Sequence, residues 1–240
     1  MMLTCRDVTK IFGGVQALAG VNIDLQEGEI LGLVGPNGSG KSTLINTMCG
    51  IFSCTSGQIT FLDENITHMP AHNIIHHGIA RTFQIPRPFA TMTVLENAAI
   101  TGMFGRNSMG ITQARENAME ALEFTGLEKY ADQPVTKLNL HQRKFLELAR
   151  ALASHPRLLL LDEVNAGLNS TEIDESVKMI RKIHERGVTI IIVEHLMKVV
   201  TSLSTRLVVL NYGKVIAEGE PETVMRDPEV ITAYLGKDYA

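Results

Sequence analysis

Nine residues, "GPNGSGKST" from Gly35 to Thr43, constrain this chain more than any other stretch. They fit the pattern G-x-x-x-x-G-K-[ST], directly after the apolar run Ile30–Val34 and directly before a helix-like segment at residues 41–49. Glycines in that setting let successive backbone N–H groups curl around phosphate oxygens at a helix N-terminus. Asn37, Gly38, Ser39, Gly40, Lys41, Ser42 and Thr43 are thereby candidates for phosphate binding. Lys41 is placed to reach the β and γ oxygens of a nucleotide, and Ser42 to hold Mg²⁺.

The rest of the chain fits the sheet that such a loop requires. Apolar runs at residues 30–34, 158–161, 188–193 and 207–210 alternate with helix-like segments at 41–49, 171–185 and 196–202, as in a parallel sheet flanked by helices. "VNIDLQEGEILGLV" reads as two strands joined by a turn at Glu27-Gly28, and "GQITFLDENIT" as a further strand and turn, which together suggest an antiparallel side sheet. Between Ile85 and Leu152 the strand pattern gives way to helical spacing in "TVLENAAITGMF", "TQARENAMEALEFTGL" and "HQRKFLELARALA". The fold class expected is α/β: a P-loop core with an antiparallel side sheet over residues 1–84 and 153–240, and a helical subdomain inserted at 85–152. No internal repeat is visible, and the tail "EPETVMRDPEVITAYLG" reads as short helices about Pro228.

Composition narrows the function. A chain of 240 residues, 45% of them hydrophobic, can bury a full core. A formal charge of −4 gives no general attraction to nucleic acid, and no nucleic-acid partner is expected. The longest apolar runs fall well short of the roughly 20 residues that cross a bilayer. Three cysteines, Cys5, Cys49 and Cys54, and an N-terminus without an apolar signal core fit a reducing cytoplasm.

Further chemistry lies at the ends of the apolar runs. "LLLLDE" delivers Asp162 and Glu163 to the edge where open α/β sheets bind ligands. Asp162 suits Mg²⁺, and Glu163 suits a general base for an attacking water. "VTIIIVEH" places His195 at the same kind of edge, where an imidazole could contact a γ-phosphate or orient water. Gln84, after "GIARTF", can accept from Mg²⁺-bound water and donate to phosphate, and it opens the helical insert.

The phosphate loop, Gln84, Asp162-Glu163 and His195, in this order and with a signature-like helix between, resemble the ATP-binding subunit of an ABC transporter. Phrases such as "IFGGVQAL", "GIARTFQIPRPFATMTVLENA", "LLLLDEVNAGLN" and "VITAYLG" are most similar to the ATP-binding subunits of branched-chain amino acid importers. The resemblance covers essentially the whole chain. It implies that Phe12 stacks on adenine, that Asn37 to Thr43 wrap the phosphates of ATP, and that Ser42, Gln84 and Asp162 arrange Mg²⁺. It further implies that Glu163 is the base, His195 the switch residue, and the activity an ATPase that powers amino-acid uptake. Transmembrane permease subunits and a second ATP-binding subunit are the implied partners, with the chain peripheral on the cytoplasmic face of the membrane.

One segment departs from the family pattern. "LNLHQ", Leu138 to Gln142, stands where the family usually has Leu-Ser-Gly-Gly-Gln, the cap laid on the nucleotide of the opposite subunit. Asn139 can still donate a hydrogen bond, while Leu140 and His141 add bulk and restrict the positive-φ conformations that glycine permits. His141 reads either as a solvent-facing side chain or, protonated, as a charge-assisted replacement contact. Val164 and Asn169 stand where Pro and Asp are usual. These changes face the opposing site, so the expected assembly is an unequal pair, favouring a heterodimer. Two rival readings are an ABC-type ATPase acting on DNA or ribosomes, and a non-hydrolysing ATP-binding regulatory module. His68, His72 and His76 could line one helix face, but lack the acids or cysteines of a zinc site.

Overall fold

The computed structural model describes residues 1–235, and these form two compact units. The first comprises Met1–Ile74 with the chain from Thr189 onward, and the second Ile75–Val188.

The first unit contains two sheets. The antiparallel one has the order β2-β1-β4-β5, from β1 (Leu3–Phe12), β2 (Val15–Leu25), β4 (Ser56–Phe61) and β5 (Glu64–Asn65). In the other, β3 (Ile30–Val34) lies between β8 (Thr189–Val193) and β9 (Arg206–Asn211), parallel to both, and β10 (Lys214–Gly219) closes antiparallel on β9. Every residue of β3 and β8 is buried, as expected of parallel strands covered on both faces. Glu27-Gly28 therefore does not close a hairpin: β2 and β3 belong to different sheets, and the turn hands the chain from one to the other. The Gly28 N–H donates to Thr189 Oγ1 (2.9 Å) in doing so.

A bidentate ion pair fastens the start of this sheet. Arg206 donates from Nε to Glu29 Oε1 (2.7 Å) and from Nη2 to Glu29 Oε2 (3.1 Å), with Glu218 beside it. These acceptors raise the guanidinium pKa further above its ordinary value, the hydrogen bond to Glu29 contributing most. Helix α1 (Lys41–Met48) follows β3, while α7 (Met197–Leu203), α8 (Pro221–Val224) and α9 (Pro228–Leu235) come later. Val200, Val224 and Val230 from those later helices meet Val34, Leu207 and Val209 in one buried cluster. Cys5, Cys49 and Cys54 are buried and form no disulfide, and burial pushes the thiols of Cys5 and Cys54 up.

The second unit pairs β6 (Ile79–Arg81) in parallel with β7 (Leu158–Asp162). Its helices are α3 (Val94–Met103), α4 (Ile111–Thr125), α5 (Leu140–Ala153) and α6 (Ser170–Glu185). Small buried residues bring the first three together: Ala98, Ala99 and Gly102 on α3, Ala114 and Ala118 on α4, and Ala149 and Ala153 on α5. Two side chains pin the end of α5. Thr101 Oγ1 donates to the Arg150 carbonyl and Asn117 Nδ2 to that of Ala153, each at 2.7 Å. Helix α2 (Ala71–His77) holds His72 and His76 but begins after His68, so the three histidines do not share one helix. No helix among the described residues is long and apolar enough to cross a membrane.

Candidate functional site

In the first unit the phosphate loop runs from the buried end of β3 to the first residue of α1. Two of its glycines are obligatory. Gly35 has φ +145°, and a Cβ there would lie 2.1 Å from the Leu210 carbonyl oxygen. Gly40, at φ +109°, would place one 2.6 Å from that of Ala17. The loop is tied from behind by the β9–β10 turn, whose Gly213 N–H donates to the Ser39 carbonyl (2.8 Å).

Lys41 is buried, and its Nζ donates to the carbonyls of Gly35 (2.7 Å) and Pro36 (3.0 Å). The ammonium is thus folded over its own loop, which holds the cradle in shape. Helix α1 carries no acid in its first turn and no side-chain cap on Gly40, so its N-terminal amides keep their attraction for an anion.

Phe12 closes β1 and is 40% exposed, which makes it a surface ring rather than a core aromatic. Its ring meets that of Phe52 edge-on at 5.1 Å, with Lys10 Nζ 4.8 Å from its centroid. His195 is exposed two residues beyond β8, whose Val193 is in register with Leu33 of β3. It therefore leaves the sheet at the end from which the phosphate loop springs.

The second unit gathers the carboxylates. Asp162 ends β7 at 6% exposure, with Oδ2 2.9 Å from an Arg81 guanidinium nitrogen, and its N–H donates to Thr82 Oγ1 (3.3 Å). Glu163 follows at φ +50°, a left-handed conformation that non-glycine residues rarely adopt. Gln84 Nε2 donates to Glu163 Oε2, so the two residues expected to act together are in contact. Beneath them, Lys144 Nζ donates to the carbonyls of Gln84 (2.6 Å) and Glu163 (3.2 Å).

Sequence reasoning passed over both Arg81 and Lys144. A signal for Lys144 existed: it stands four residues before Leu148 and seven before Ala151, on the stripe of α5 that is buried. A lysine on such a stripe calls for a buried partner.

The departing segment has a definite structure. Asn139 is the N-cap of α5; its Oδ1 accepts from the Gln142 N–H (2.8 Å), while Gln142 Oε1 accepts from the Asn139 N–H (3.0 Å). This is a reciprocal capping box. Residues 139–142 have no positive φ, so the helix start as it stands does not use conformations that glycine alone adopts freely. The helix asks nothing of the backbone that Leu and His cannot adopt.

His141 is only partly exposed, so it is not the fully solvent-facing side chain that one reading expects. Its ring lies 4.3 Å from that of Phe145, and Nε2 is 3.3 Å from Glu175 Oε2, outside hydrogen-bond geometry. It is turned back onto α5 and α6, while Leu140 projects at 45% exposure. Asn169 caps α6 by the same device, with Glu172.

A glycine loop closed over its lysine after a buried strand, together with a buried aspartate followed by a glutamate held by a glutamine, defines a P-loop nucleotide-binding ATPase. A family model described as ABC transporter matches residues 18–166, and one described as branched-chain amino acid ATP-binding cassette transporter matches 214–240. The high-affinity branched-chain amino acid transport ATP-binding protein BraF of Pseudomonas aeruginosa is 37% identical, with 98% of each chain covered. The corresponding protein LivG of Escherichia coli K12 is 36% identical at the same coverage.

Among solved structures, a nucleotide-free ATP-binding cassette from an ABC transporter superposes with a TM-score of 0.89 at 32% identity, covering 98% of this chain and 99% of that one. A dimeric cassette bound to ADP and phosphate gives 0.82 at 27% identity, covering 92% and 99%. The chain belongs to the ABC transporter ATP-binding family, whose members hydrolyse ATP to power transport.

Proposed function

We propose that this chain is the ATP-hydrolysing subunit of an importer for branched-chain or related amino acids, working beside separate transmembrane subunits at the inner face of the membrane. The relatives that span its full length carry that description, and its last 27 residues match a model specific to it. The observation that carries the catalytic part is the Gln84–Glu163 contact, which holds a carboxylate acceptor in one orientation by a hydrogen-bonded amide.

In this reading Asn37 to Thr43 hold the phosphates, Phe12 takes the adenine on its exposed ring, and His195 senses the γ-phosphate. Glu163 draws the proton from the attacking water. Ser42, Gln84 and Asp162 offer hydroxyl, amide and carboxylate oxygens, the hard donors that suit Mg²⁺. Bound there, Mg²⁺ would neutralise charge on the β- and γ-phosphates.

The permease contact is assigned to residues 84–97. Asn97, fully buried, accepts from the Phe89 N–H (2.7 Å) and donates to the Phe89 carbonyl (3.1 Å). That anchor fixes a loop on which Ile85 and Phe89 are exposed. The second ATP-binding subunit is a different chain: this one keeps the residues for its own nucleotide and offers, through Asn139, Leu140, His141 and Gln142, a bulkier cap to its partner's.

Reconstitution with the neighbouring permease and ATPase subunits in proteoliposomes tests the assignment. The expected result is ATP-driven uptake of leucine, isoleucine or valine that disappears with Glu163→Gln. ATPase activity indifferent to any branched-chain amino acid and its binding protein would overturn the substrate assignment.

A further inference from the structure

We infer that Lys144 is a positioning residue for catalysis: its buried ammonium locks Glu163 and Gln84 to the helix whose first turn is offered to the partner's nucleotide. The inference rests on the reading of Glu163 as the base.

Lys144 is 4% exposed and lies in the second turn of α5. A buried ammonium demands acceptors, because its charge has left water. Two of them are main-chain carbonyls far apart in sequence, 2.6 Å away at Gln84 and 3.2 Å at Glu163. Those residues are also joined by their side chains. Base, hinge glutamine and helix are thus joined by three hydrogen bonds, two of them donated by Lys144 of α5.

The backbone of Glu163 shows why a clasp is needed. At φ +50° it occupies a region that L-residues hold only when their surroundings determine it. Gln142, two residues before the lysine, closes the capping box at the start of α5, and His141 packs on the neighbouring Phe145. A displacement of that helix start is therefore passed through one rigid turn to the carbonyl of the base. By this route, engagement of α5 with the partner would adjust the orientation of Glu163.

A charged donor with reach is required. Methionine keeps the volume and removes the donors, glutamine keeps a neutral donor on a shorter stem, and arginine restores the charge with several N–H groups.

The test compares Lys144→Met, Lys144→Gln, Lys144→Arg and Glu163→Gln in the reconstituted transporter, measuring kcat, the KM for ATP and thermal unfolding. Misplacing a catalytic group by about 1 Å costs on the order of 100-fold in rate. We expect Lys144→Met to lower kcat at least ~20-fold with KM changed less than ~3-fold, and Lys144→Arg to recover half or more of the rate.

Should the methionine variant fail to fold, Lys144→Gln is judged by the same criteria. A kcat within about 2-fold of wild type would overturn the inference, as would KM and unfolding temperature changing together without rescue by arginine. If Glu163→Gln itself retained full turnover, the identity of the base would fall, a result distinct from either outcome at Lys144.

Discussion

Helices α1 and α5 both begin at a signature motif, and their N-termini are finished in opposite ways. The start of α1 has a glycine N-cap, no side-chain cap and no acid in its first turn, so its partial positive charge is left for a ligand. The start of α5 is closed by its own side chains: the Asn139–Gln142 box occupies two amides, and Leu140 stands exposed in the first turn. The first leaves its amides open to an anion, and the second satisfies two amides with its own side chains. The proposed unequal pair rests on this contrast: a start open to the chain's own nucleotide, and a self-capped start toward the partner's.

The comparison can be broken most severely at α1. Gly35→Ala must displace the loop from the Leu210 carbonyl, and we expect nucleotide affinity to fall about 100-fold or more, read by titration with a fluorescent ATP analogue. Lys41→Met removes a charge-assisted phosphate contact and should weaken affinity roughly 30-fold while the chain stays folded. Arg206→Ala, in the same unit but remote in role, should cost about 2 kcal/mol of stability in urea unfolding and leave nucleotide affinity unchanged.

At α5 the effects are smaller. Replacing Asn139-Leu140-His141 by Ser-Gly-Gly should keep the cap, remove the bulk and raise turnover of the assembled pair a few-fold; no change would count against the unequal pair. Asn139→Ala should cost about 1 kcal/mol through loss of the cap.

Helix α3 calibrates this with a box closed by a carboxylate. The Thr93 backbone N–H, and then its hydroxyl, hold the Glu96 pKa below the ordinary value. The folded pKa is depressed, so this contribution is present above the unfolded value of about 4.3 and is lost as pH falls through the folded one. Hydrogen exchange at the start of α3 should accelerate in that acid range, and that of α5, whose box is uncharged, should not.

What could be read from the sequence follows from how locally each feature is specified. The phosphate loop was legible because its geometry is written in glycines that tolerate no Cβ. Strands β3, β7 and β8 were legible because total burial leaves unbroken apolar runs. Strand β1 was faint, because register shifts and a positive φ at Asp7 interrupt its alternation. The turn at Glu27-Gly28 resembled a hairpin because a chain changing sheets uses the same turn residues. Arg81 and Lys144 were missed because their partners lie 81 and 60 residues away, where no local pattern records them. His141 could not be oriented, because Glu175 and Phe145 claim it only after α5 and α6 have packed.

The most direct measurement places one carboxylate-to-amide substitution at a time in the assembled pair of ATPase subunits. Glu163→Gln in this chain should abolish nearly all ATP turnover, about 100-fold or more, because it disables the site whose cap comes from the partner. The same substitution at the partner's equivalent glutamate should leave most of it. Equal losses from the two substitutions would contradict the account.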